Sequence, residues 1–204
     1  MPTVRRIVIM TLSLGLLLHR SARAQDPRLE RRLDSTALQS VTGVIDSARR
    51  HGLPTEPLVQ RALEGAAKHA PPALIVAAVR RLALDLGTAR EALGQASTPA
   101  ELAAAASALR AGVNPADLTR LRARRAQSLT VALAALADLV TSGVPADSAA
   151  AAVIALAGSV SDDQIAEYRR AVERDIALGA PPAGAASVRV DAALRARGGP
   201  APRP

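Results

Sequence analysis

Residues 72–93 read PALIVAAVRRLALDLGTAREAL, and within them Ile75, Val79, Leu82, Leu86, Ala89 and Leu93 step by 4, 3, 4, 3 and 4 residues. That spacing puts all six on one side of an α-helix, a seam nearly three heptads long of the kind one helix presents to another. A seam needs a partner, so the rest of the chain is read for helices that can supply one.

Downstream, Thr98-Pro99-Ala100-Glu101 carries a cap, a proline at the first helical position and a glutamate placed to reach back, the arrangement of a capping box. The short helix it opens closes at Ala111-Gly112, and Asn114-Pro115-Ala116-Asp117 caps a long one expected to run to about Thr141. In the second half of that helix Leu129, Leu133, Leu136 and Val140 repeat the 4-3-4 seam, whereas Arg125 falls where an apolar residue belongs. Ser142-Gly143-Val144-Pro145 starts a helix to about Ala157, and Ser161-Asp162-Asp163-Gln164 opens another with Ile165, Tyr168, Val172 and Ile176 on one side. A last short helix is expected over 185–196. Upstream, Asp26-Pro27 opens a helix whose Leu29, Leu33, Leu38, Val41, Val44, Ile45 and Ala48 keep a rough period to Arg50, and a short helix over 55–68 follows Leu53-Pro54. Seven or eight helices result.

The punctuation recurs. Pro54, Pro99 and Pro145 lie 45 and 46 residues apart, and each opens a short helix, a turn and a longer helix. Two helices in about 45 residues is the period of HEAT-type solenoids. The expected fold is therefore all-α, antiparallel helical hairpins: either three HEAT-like repeats of about 45 residues or an irregular helical bundle whose turns are evenly spaced. Composition agrees, since alanine, the best helix former, supplies 47 of 204 residues.

The N-terminus reads differently from the rest. Arg5 and Arg6 precede twelve apolar residues from Ile7 to Leu18, and Ala22-Arg23-Ala24 follows, the tripartite pattern of a secretory signal peptide cut after Ala24. Twelve helical residues rise about 18 Å, too little for a hydrocarbon core of about 30 Å. The expected organisation is a cleaved signal peptide over 1–24, one helical domain over 25–196 and a disordered Gly/Pro/Arg tail over 197–204. The mature chain is expected in the periplasm or outside the cell. No cysteine follows the apolar run, which excludes a lipoprotein anchor, and none occurs anywhere, which removes disulfides, thiol catalysis and thiolate metal ligation together.

The net charge of +8 suggests nucleic acid until it is divided by region. Four arginines and no acid lie before Gln25, and three arginines and no acid lie from Arg195 onward, which leaves about +1 for the body. Nucleic acid is therefore not an expected partner. Two histidines remain after Gln25, His51 and His69, each at a helix C-terminus where an imidazole meets free carbonyls, and no HxxxH, HExxH or Glu-x-x-His spacing gives either a metal-ligand partner. Asp162-Asp163, Glu101, Asp117 and Asp147 occupy first turns, where carboxylates answer free N–H groups. No GxSxG, GxxxxGK[ST] or GxGxxG run occurs. No catalytic, cofactor-binding or metal residue is assigned, and no cofactor is expected.

One cluster stands apart. Arg120, Arg122, Arg124 and Arg125 sit in a stretch without acid from Leu118 to Ala137, as a candidate interaction patch for phosphate, anionic lipid or an acidic protein. The plainer reading is a wetted helix face with the Arg125 stem lying over the core. The function expected is a non-catalytic protein-interaction or scaffolding module, with an unknown protein partner or self-association. The alternatives are binding of an anionic membrane surface through the arginines, and a hydrolase or transferase whose residues meet only in three dimensions.

Overall fold

A computed structural model describes residues 26–197, so the expected signal peptide and residues 198–204 of the expected tail lie outside the described residues. Among the described residues the chain is all-α and forms ten helices packed in a bundle: α1 (Pro27–Glu30), α2 (Ser35–Arg50), α3 (Glu56–Ala67), α4 (Pro72–Leu93), α5 (Pro99–Ala111), α6 (Pro115–Arg124), α7 (Thr130–Thr141), α8 (Ala146–Ala157), α9 (Asp162–Ala177) and α10 (Pro182–Arg197). No helix of the described residues is long and apolar enough to cross a membrane.

The starts are where the caps require them. Thr98 and Glu101 form the capping box of α5, and Ser161 and Gln164 form that of α9. The Asn114 side chain accepts from Ala116 N to begin α6. The α4 seam is wholly buried at all six positions. α3 supplies its first partner at close range: a Cβ added at Gly65 would come within 2.9 Å of Ile75 Cγ1, so the α3 backbone lies directly against the first seam residue.

Two expected helices are each broken, which is why ten are found where seven or eight were expected. The stretch from Asp26 to Arg50 divides because Asp34 acts as a second N-cap, its carboxylate accepting from Ala37 N at 2.8 Å. The stretch from Asn114 to Thr141 divides because Arg125 leaves the helix in an extended conformation, φ −138° and ψ 116°. Its guanidinium goes instead to carbonyls that close α8, which is why the apolar period fails at this residue.

Packing links helices close in sequence. α2, α4, α6, α8 and α10 contact one another in that order as one row. α5, α7 and α9 form a second row, and α1 lies on α3, which joins α5 through α4. The most extensive contact is between α5 and α7. The shared core is leucine, valine, isoleucine and alanine, with Leu102, Leu118, Leu121, Leu133, Leu136 and Leu156 fully buried. Burying one such leucine contributes about 1.5–3 kcal/mol, and the interleaved alanines let helix backbones approach. Tyr168, the only aromatic residue of the sequence, sits at the α9–α10 contact with its hydroxyl donating to Ala186 O at 3.3 Å. Burial pushes its phenol up to about 12.

Candidate interaction grooves

The four arginines read as a candidate interaction patch meet different neighbours. Arg120 pairs with Asp117, one turn back on its own helix. Arg122 reaches Glu101 of α5 at 2.5 Å, and also the Gln127 carbonyl at 3.3 Å. Arg125 is only 8% exposed and donates to Ala157 O and Val160 O at 3.0 Å each and to Asp162 at 2.5 Å. The expectation of unpaired charge is corrected here. The stretch lacks acids along the chain, but Glu101 and Asp162 arrive from neighbouring helices. Arg124 alone has no partner among the described residues.

Glu101 does more than its capping box required. One carboxylate oxygen accepts from Thr98 N at 2.9 Å and from the Thr98 hydroxyl, and the other accepts from Leu129 N at 2.9 Å and from Arg122. It therefore caps α5 and holds the entry to α7 at once. Burial pushes this carboxyl up, but the N–H groups of Thr98 and Leu129 and the Arg122 guanidinium outweigh it and bring the pKa down to about 2. Asp85, buried on α4, is likewise flanked by Arg81 at 3.2 Å and Arg110 at 3.7 Å. His51 ends α2 with Nδ1 2.8 Å from Ser47 O, in the helix-end position its sequence context gave it. No group of three or more His, Cys, Asp or Glu able to hold a metal ion occurs among the described residues.

Two open grooves run along the even-numbered row. The first lies between α2 and α4 and encloses about 610 Å³. Its α2 wall is Ser40, Gly43, Val44 and Ser47, its α4 wall is Arg80, Ala83 and Leu84, and His51 and Leu53 close one end. Leu84 is 68% exposed, and a Cβ placed on Gly43 would meet nothing within 4 Å. The walls are thus apolar or small, with room above them. The second, about 620 Å³, lies between α6 and α8 and is lined by Arg120, Ala123, Arg124, Ala151, Ile154, Ala155, Gly158 and Ser159. It gathers the two arginines of the cluster that remain near solvent, Arg120 and Arg124, and leaves Arg122 and Arg125 out.

The α2–α4 groove was not read from the sequence. Its signal was present: Ser40, Gly43 and Ser47 repeat small residues at helical spacing on α2, and a glycine inside a helix costs about 1 kcal/mol against alanine unless something needs the space. No family model, curated protein or solved structure matches the chain.

Proposed function

We propose that this chain is a non-catalytic, exported interaction module that seats a segment of a partner protein in the groove between α2 and α4. The observation that carries the reading is the groove itself: two apolar helix faces with Leu84 exposed between them and Gly43 leaving its own space open. Exposed apolar surface of this kind marks interaction sites. The state of the ionisable groups supports a binding role over a catalytic one. Glu101 and Asp85 are buried and engaged by arginines, Arg125 by carbonyls, and His51 and Arg80 are the only ionisable side chains among the groove-lining residues. An array of helical hairpins would display such a groove on a stiff support.

The test is comparative capture. The tagged mature protein, from residue 25 onward, is cross-linked in its native envelope beside its Gly43→Leu variant, which fills the groove with a better helix former. A partner recovered with the parent and lost with the variant is expected. A partner recovered equally with both would show that the groove is not its seat.

One observation favours a second reading, attachment to an anionic membrane surface: Arg120 and Arg124 line the α6–α8 groove without an acid among its lining residues. Binding to anionic vesicles that disappears on replacing Arg120 and Arg124 by alanine would support it, and equal binding by that variant would remove it.

A further inference from the structure

The groove between α2 and α4 carries charge of one sign, and from this, resting on the interaction reading above, we infer that its occupant is an amphipathic helix with an apolar face bordered by carboxylates. No aspartate or glutamate lines the groove, whereas Arg80 stands on its α4 wall and His51 closes it. Arg50, exposed and seven residues beyond Gly43, lies on the same side of α2 next to the groove's end. Among the described residues neither the Arg50 nor the Arg80 side chain makes a hydrogen bond or ion pair. The contrast lies across α2. There the cleft beside α1 and α3 balances Asp26, Asp46 and Glu56 against Arg28 and Arg49. The one-signed charge therefore belongs to the groove and not to the helix as a whole.

Shape selects the class of occupant. Both walls are helices, so their side chains form ridges at three- and four-residue spacing, into which the ridges of a third helix fit. Ser40, Gly43 and Ser47 keep the α2 wall low enough for that helix to approach closely, while Val44, Leu53 and Leu84 offer it apolar contact. A strand would find no sheet edge to join among the described residues. Carboxylates reaching Arg80 on the α4 wall and Arg50 at the end of α2 would form pairs that steer association.

The experiment uses fluorescence anisotropy with two synthetic helical peptides of leucine and alanine, identical except that one carries glutamates bordering its apolar face and the other lysines. The protein is the mature chain, with helix content read by circular dichroism for every variant. The glutamate peptide is expected to bind about tenfold more tightly than the lysine peptide, and Arg80→Glu to narrow or reverse that preference. Gly43→Leu and, separately, Leu84→Glu are expected to abolish binding of both, at unchanged helix content. Equal affinity for the two peptides, lost on Gly43→Leu, would overturn the charge inference and leave the groove reading standing. Binding of neither peptide, or binding that survives both groove variants, would overturn the two together.

Discussion

His69 holds φ at +53°, the left-handed region that costs a side chain about 1 kcal/mol, at the point where α3 ends. Its neighbours complete the ordinary helix stop: His69 N donates to Ala66 O and Ala70 N to Gly65 O, both at 3.0 Å. The turns at Gly112 and Gly143 take positive φ with the residue that tolerates it. Replacing His69 by glycine is therefore expected to raise stability by about 0.5–1 kcal/mol, read as a higher urea midpoint at unchanged slope. Glu101 is the opposite case, a residue whose role cannot be delegated. Its carboxylate is held at about 2 against an ordinary value of 4.5, so the folded state binds its proton more weakly than the unfolded chain does. The resulting stability is fully present above pH 4.5 and is lost as pH falls toward 2. Glu101→Gln is expected to cost about 2 kcal/mol at neutral pH and to flatten the acid limb of the stability curve in that window. The sequence displayed the Thr98–Glu101 box plainly, because both partners are three residues apart. It did not display Leu129 N or Arg122 on the same carboxylate, since those contacts span 28 and 21 residues.

Among the elements, the junction of α6 and α7 departs most from its sequence pattern. Arg125 forfeits helical continuity but satisfies the Ala157 carbonyl that the end of α8 leaves without an intrahelical partner, and the Val160 carbonyl in the turn that follows. A guanidinium suits the task because its planar fork serves several acceptors at once, which an ammonium on a flexible stem does less well. Arg125→Ala is expected to cost about 3 kcal/mol, Arg125→Lys to recover less than half of that, and Asp162→Asn to cost no more than about 1 kcal/mol because that carboxylate is 42% exposed. Chemical denaturation of the three variants gives the order, and an Asp162→Asn cost as large as that of Arg125→Ala would make the ion pair, not the carbonyl bonds, the source of the effect. The same preference recurs at Arg90, which donates to Gln95 O at 2.7 Å and Gly52 O at 3.0 Å near the end of α4. The sequence holds twenty-five arginines and one lysine, and at Arg90 and Arg125 the guanidinium serves carbonyls near helix ends. Helix class, most starts and the α4 seam were legible because periodicity and caps are local. The break after α6 was not, because Arg125 leaves its helix for acceptors more than thirty residues away, whereas the break at Asp34 rests on a local cap that the rough apolar period runs across.

For the molecule as a whole, packing between near neighbours in the chain makes stability uneven. α5 and α7 share the most extensive contact, and Leu129, Leu133, Leu136 and Leu139 are fully buried. Of the α10 residues up to 195, whose burial is described, only Ala185 and Ala186 are buried, and Val188 is 64% exposed. Hydrogen exchange is expected to be slowest in α5 and α7 and fastest in α1 and α10, and uniform protection across all ten helices would contradict that gradient. The α2–α4 groove belongs to this scale too. It is a property of two helices facing each other, so small residues on α2 could hint at it, yet only the packed row gives it walls.

The lone phenol at the α9–α10 contact gives the protein an optical gauge of its own. With no tryptophan to outshine it, the intrinsic fluorescence comes from one ring, Tyr168, beneath the last helix. Emission and phenolate absorbance should therefore report lifting of that helix before the remaining helices melt, without any attached dye.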